Sequence, residues 1–182
     1  IEALNKNGLI PVDLAAKDGL SLINGTAQMC SFLINSEQRL QNLLVIADLI
    51  ACATLDARQC SIKPMDSRVH DARPHPGQIM VASRITEILQ NSDILKAHQN
   101  CDRVQDAYSF RCIPQVHGAV IQRFKQLCET LDIEINSATD NPLIFPDLSN
   151  PGDHEVISQG NFHGEVLALS ADSMSNALFE LA

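Results

Sequence analysis

Glycine and proline divide this chain into long uninterrupted stretches, and no other feature limits its fold as strongly. The eight glycines and eight prolines are clustered. None falls from Thr26 to Lys63, from Gln78 to Ile113, from Ala119 to Asn141, or from Glu165 onward. Unbroken stretches between punctuated connectors predict helices joined by loops. In the first stretch Met29, Leu33, Leu40, Leu43, Leu44, Ala47 and Ile50 recur at the three-and-four spacing of one helix face. A helix over 27–57 would be roughly 45 Å long at the α-helical rise. A rod of that length cannot hide its stripe inside a small ball. It needs equally long partners, including segments beyond this chain and other subunits.

The expected fold is therefore all-α, an elongated bundle of long helices forming part of a larger helical domain. Pro114 suits the first turn of a helix through Val116, Ala119, Val120, Phe124 and Leu127. A last helix is expected from His163 through Val166, Leu169, Met174, Ala177, Leu178 and Leu181. The segment 136–160 reads as a polar loop with three prolines, and no run alternates long enough to predict a sheet. Internal repeats and low-complexity segments are missing from the sequence.

Composition excludes several function classes. Aromatic residues make up 4% of the chain, with no Trp and one Tyr, so the core is aliphatic and Tyr108 stands out. A formal net charge of −9 argues against a nucleic-acid groove and against an anionic membrane surface. The six cysteines form no CxxC pair and read as reduced thiols of a cytoplasmic protein. The apolar run from Leu43 to Leu55 is about 13 residues, contains Asp48, and is too short to span a bilayer. Residues 1–8 carry no signal-peptide pattern, and the start at Ile1 is expected of an excised or processed piece.

Three short blocks could carry chemistry. Asn24-Gly25-Thr26 is either a turn with Thr26 capping the long helix, or a device that points the Asn24 amide into a cavity. Gln105, Tyr108 and Arg111 are spaced by three and can share one side of a helical turn. A solvated polar face is the plain interpretation. The chemical one is an amino-acid site, with the planar guanidinium fork on a carboxylate and a tyrosine of lowered pKa moving a proton. In Gly160-Asn161-Phe162-His163-Gly164 two glycines bracket a loop that backbone can approach closely, or Asn161 caps a helix. The six histidines include no HExxH and no i, i+4 pair, so no metal site is expected.

These blocks and three others, in order, resemble the aromatic amino-acid ammonia-lyase family. They are Ala16-Lys17-Asp18-Gly19-Leu20 with Ile23-Asn24-Gly25-Thr26; Arg73-Pro74-His75-Pro76-Gly77-Gln78; Gln105-Asp106-Ala107-Tyr108-Ser109-Phe110-Arg111-Cys112; Pro114-Gln115-Val116-His117-Gly118; Asn136-Ser137-Ala138-Thr139-Asp140-Asn141-Pro142-Leu143; and Gly160-Asn161-Phe162-His163-Gly164-Glu165. The resemblance covers nearly the whole chain and implies that residues 1–182 are the central helical segment of such an enzyme. It implies a homotetramer whose active site is shared between subunits, acting on a small amino acid. The implied prosthetic group is a methylidene-imidazolone made from an Ala-Ser-Gly tripeptide that lies outside this chain. By motif, Tyr108 and Gln105 take the catalytic positions, while Asn24, Arg111 and Phe162 take the substrate-binding ones.

The blocks around His75, Cys112 and His163 are similar to the histidine-specific branch. That implies loss of ammonia from L-histidine to give trans-urocanate. A tyrosine or phenylalanine lyase, a related 2,3-aminomutase, and a non-catalytic helical assembly module are the alternatives. The 182 residues alone, without the electrophile, are expected to be inactive.

Overall fold

A computed structural model of the chain describes residues 1–100 and 102–181. In chain order the helices are α1 (Glu2–Lys6), α2 (Asp18–Ser21), α3 (Ala27–Ala57), α4 (Ser67–Asp71), α5 (Pro76–Leu89), α6 (Asp93–Ala97), α7 (Tyr108–Arg111), α8 (Ile113–Glu134) and α9 (Glu165–Phe179). Most of the stretch that lacks glycine and proline after Gly25 is thus one continuous helix of 31 residues. It stops where Gln59 adopts a left-handed φ of 54° and the Cys60 N–H reaches back to the Leu55 carbonyl at 2.9 Å.

Thr26 occupies the N-cap position of α3, but its side chain does not cap. Its hydroxyl donates instead to the carboxylate of Glu134, the last residue of α8. That bond closes one end of an antiparallel pair. Farther along, the Cys128 thiol faces Glu37 and His117 Nδ1 lies 2.7 Å from Asp48 Oδ1. α8 therefore descends as α3 rises.

α8 is the central helix. α3, α5 and α9 all pack on it, burying Val120, Ile121, Leu127 and Leu131. Each fully buried aliphatic side chain of this kind stabilises the fold by about 1.5–3 kcal/mol. α5 comes so near that a Cβ on Gly77 would overlap the Gly118 carbonyl oxygen, and one on Gly118 would overlap the Gln78 backbone. Hydrogen at these two positions lets the helix backbones touch. Beneath the start of α5, both ring nitrogens of buried His70 are engaged. Its Nε2–H donates to the Pro64 carbonyl at 3.0 Å, and its Nδ1 accepts from the Gln78 amide at 2.9 Å.

The architecture differs from the sequence expectation in four places. The stretch 78–113 is not one helix. Ser92 accepts from the Leu95 N–H at 3.0 Å and starts α6, so a helix-capping residue does the work expected of glycine or proline. The loop 136–160 contains an antiparallel hairpin, Leu143–Pro146 (β1) with His154–Ile157 (β2). Four-residue strands are too short for alternation to reveal them. The stripe assigned to α3 divides between two faces. Cys30, Leu44, Asp48, Cys52 and Leu55 are buried, whereas Leu43 and Ile50 are exposed, Ile50 by 61%. Finally, an 18-residue window of α3 reaches a mean hydropathy of 1.5, long and apolar enough to cross a membrane by length and composition. The apolar run from Leu43 to Leu55 lies within this longer helix.

Candidate active site

The candidate residues gather at opposite ends of the α3–α8 pair. At the α3 N-terminal end, Asn24 is half-buried in the turn that leads from α2 into α3, its N–H on the Leu20 carbonyl at 2.8 Å. The neighbouring loop is tied down by side chains. Asp140 accepts from Lys17 Nζ at 2.6 Å and from Ser21 Oγ at 3.0 Å. Lys17, the Asn141 N–H and Ser21 together hold the Asp140 carboxyl below its ordinary range against a small desolvation cost. The Gln159 amide donates to the Asp140 carbonyl, and the Gln159 N–H donates to Asn141 Oδ1 at 2.8 Å.

Asn161 donates its amide to the Ala138 carbonyl at 3.2 Å; Gly164, not Asn161, sits at the N-cap of α9. The close approach expected of the two glycines holds for one of them. A Cβ on Gly164 would fall 2.7 Å from Met29 Sδ, whereas Gly160 has open space around it. Half-buried Phe162 is thereby carried to the same end of α3 as Asn24.

At the other end lie Gln105, Tyr108 and Arg111. Tyr108 and Arg111 bound the single turn α7, as spacing by three predicts. Gln105 is not on that turn. It precedes it on an extended segment and lines a cavity of about 260 Å³ together with Cys60, His98, Arg103 and Asp106. Tyr108 is 74% exposed. Arg111 is half-buried, and its Nε–H donates to the Asp106 carbonyl at 3.0 Å. Its Nη groups have no partner among the described residues, which leaves the fork for a ligand carboxylate.

The two sets are separated by the full length of α8, 22 residues, or about 33 Å at the helical rise. One chain therefore cannot bring Asn24 and Phe162 onto the same small molecule as Tyr108 and Arg111.

Sequence reasoning passed over the residues that organise these ends: Asp106, Glu134, Asp140 and Gln159. It noted Asp48 without assigning it a role. Asp48 is 0% exposed, forms an ion pair with Arg84 and lies 2.7 Å from His117 Nδ1. A lone carboxylate inside an apolar helical run is a sequence signal of such a pairing. Four of the cysteines are held away from the thiolate form. Burial pushes Cys52 up to about 11, with Asp48 and Asp56 adding to it, and burial likewise raises Cys30, Cys60 and Cys128. Five cysteines are free among the described residues, and no group of three metal-ligating side chains occurs among them.

Comparison with known proteins matches this arrangement to one class. The sequence model of the aromatic amino acid lyase family matches residues 1–182, and the chain belongs to that family. It is 43% identical over 181 residues to a histidine ammonia-lyase of Myxococcus xanthus, covering 100% of this chain and 35% of the relative. It is 46% identical over 181 residues to the histidine ammonia-lyase of Natranaerobius thermophilus, covering 100% and 34%. Among solved structures it is similar to the histidine ammonia-lyase of Trypanosoma cruzi, with a TM-score of 0.83, 35% identity, and 99% and 32% of the two chains covered. It is also similar to the Pantoea agglomerans phenylalanine aminomutase, with a TM-score of 0.85, 32% identity, and 98% and 37% covered. The chain thus spans about a third of the length of the relatives it matches.

Proposed function

We propose that this segment supplies the helical core and two parts of the active site to a histidine ammonia-lyase, which eliminates ammonia from L-histidine to give trans-urocanate. The observation that carries the proposal is 43% and 46% identity to histidine ammonia-lyases along the whole chain. In this role Arg111 grips the substrate carboxylate through its two Nη groups while Nε stays on the Asp106 carbonyl. Gln105 offers an amide to the bound amino acid, and Tyr108 handles a proton. Asn24 hydrogen-bonds near the amino group, and Phe162 packs beside the prosthetic ring.

That ring would be a methylidene-imidazolone, formed from an Ala-Ser-Gly tripeptide that the 182 residues do not contain. The residues at the α3 N-terminal end fit it chemically. An amide and an aromatic ring can hydrogen-bond and pack against a planar electrophile, and neither is a nucleophile that would consume it. When bound, the group turns the substrate nitrogen into a better leaving group. The distance of about 33 Å between the two sets, at the helical rise along α8, requires their meeting partner to come from another copy. By the family resemblance the proposal includes a homotetramer with shared sites, and its free thiols support a place in the cytoplasm, where thiols stay reduced.

The test is to assay the full-length protein carrying this segment on L-histidine, L-tyrosine and L-phenylalanine, following the absorbance of the conjugated product. Turnover of histidine above the other two is expected. Preference for phenylalanine, or β-amino acid formation, would move the protein to the lyase or aminomutase alternatives. Inactivity of an assembled, Ala-Ser-Gly-containing protein on all three would favour the non-catalytic module.

A further inference from the structure

We propose that Asp106 positions Arg111 for the substrate carboxylate by anchoring the loop that carries both to the C-terminal end of α3. The inference rests on Arg111 being the carboxylate clamp.

Among the described residues, no helix or strand lies between Ala97 and Tyr108. α7 itself is four residues long with no side-chain cap, too short to hold its own orientation. The turn runs into α8 and its Phe110 packs on the core, so what remains to be fixed is the loop that leads into it, where Asp106 is the one buried residue among those described from 102 to 109, 9% exposed between exposed Gln105 and Ala107. Its Oδ2 accepts the Ser61 N–H at 2.8 Å, and its Oδ1 accepts Arg103 Nη1 at 2.7 Å. The Cys60 thiol is a third partner. Cys60 and Ser61 directly follow the left-handed Gln59 that ends α3. The carboxylate is therefore held by the end of the longest rigid element in the chain.

The same residue reaches Arg111 through its main chain, whose carbonyl accepts Arg111 Nε–H at 3.0 Å. With Nε engaged, the guanidinium plane is set and the Nη edge remains for a ligand. Asparagine at 106 keeps the shape but removes the charge. It also replaces one acceptor oxygen by an N–H₂ that must face either the Ser61 N–H or the Arg103 guanidinium, a donor against a donor. The anchor loosens, and Arg111 loses its set plane.

The experiment uses the full-length enzyme and two competitive ligands, imidazole propionate, which has a carboxylate, and histamine, which has none. Asp106→Asn is expected to weaken imidazole propionate about tenfold, the size of a lost charged hydrogen bond, and to leave histamine within about twofold. In an Arg111→Lys background the same substitution should add no further loss on imidazole propionate, because residues acting as one unit are not additive. Equal losses on both ligands, or a full additional loss in the Arg111→Lys background, would overturn the positioning role. The clamp itself is judged separately. If Arg111→Lys alone leaves imidazole propionate binding unchanged, the assignment of Arg111 fails, and the Asp106 proposal falls with it. Should Asp106→Asn fail to assemble, Arg103→Gln strips one partner from the same carboxylate at a half-exposed side chain. The same ligand selectivity is then expected at about threefold, and its absence is again a refutation.

Discussion

The two ends of the α3–α8 pair carry the same kind of residue by different means. At the α3 N-terminal end, Asn24 and Phe162 sit on loops held by many hydrogen bonds spread over Lys17, Ser21, Asp140, Asn141, Gln159 and Asn161. At the opposite end, Tyr108 and Arg111 lie on one short turn that runs into α8, and the loop leading into that turn is fastened through a single buried carboxylate, Asp106. A distributed network tolerates the loss of any one bond. A single anchor does not. The two half-sites should therefore differ in their sensitivity to point substitution, although the helices that join them are the same.

The largest effect should come from the element shared by both ends. In Gly77→Val the new side chain collides with the Gly118 backbone, which has no flexible end to move. We expect a loss of about 3 kcal/mol in unfolding free energy, the upper range for overpacking, read as a lower denaturation midpoint. A midpoint equal to wild type would mean that the α5–α8 contact is looser than the geometry indicates. Next is Asp48→Asn in the middle of the pair. Removing one partner of a buried ion pair typically costs 3–5 kcal/mol, but Arg84 and His117 are partly exposed, so about 2 kcal/mol is expected. Both half-sites should keep their ligand affinity in the folded fraction.

Arg111→Lys addresses one end only. Lysine keeps the charge and loses the planar fork, so KM for histidine should rise by the equivalent of about 1.5 kcal/mol with stability unchanged. Unaltered kinetics would return Arg111 to a surface role. The smallest effect should be Lys17→Met at the networked end. This pair is partly exposed, and kinetics should barely change. Its pH signature is more telling. Asp140 is held low chiefly by Lys17, so its contribution to stability is complete above the ordinary carboxylate pKa of about 3.9. It disappears as pH falls through the lower folded value. The variant should flatten that acid limb, and an unchanged limb would rule out the pair as its source.

Much of this was legible in the sequence. Gly25 marked the start of α3 and Pro114 the start of α8. The six motif blocks singled out Asn24, Gln105, Tyr108, Arg111 and Phe162 as candidates. Helix punctuation is local chemistry, so it can be read from neighbours in the chain. The hidden features are non-local. Thr26 looked like a cap because nothing nearby reveals that Glu134 arrives from a residue 108 positions away. Asp106 drew no reading of its own because its partners, Cys60 and Ser61, come from the end of another helix. The divided apolar stripe of α3 could not be sorted into buried and exposed faces, because periodicity shows that a face is apolar without showing what covers it.

The central claim is that the two half-sites belong to different copies of the chain. The direct measurement is subunit complementation in the full-length protein. Asn24→Ala disables one half-site and Arg111→Ala the other, and each variant alone should form inactive oligomers. Co-expressed and purified as mixed oligomers through two different affinity tags, they should regain histidine elimination, because some sites then combine an intact Asn24 end with an intact Arg111 end from another subunit. Mixed oligomers that assemble correctly yet stay as inactive as either parent would contradict the account and require both half-sites to act within one chain.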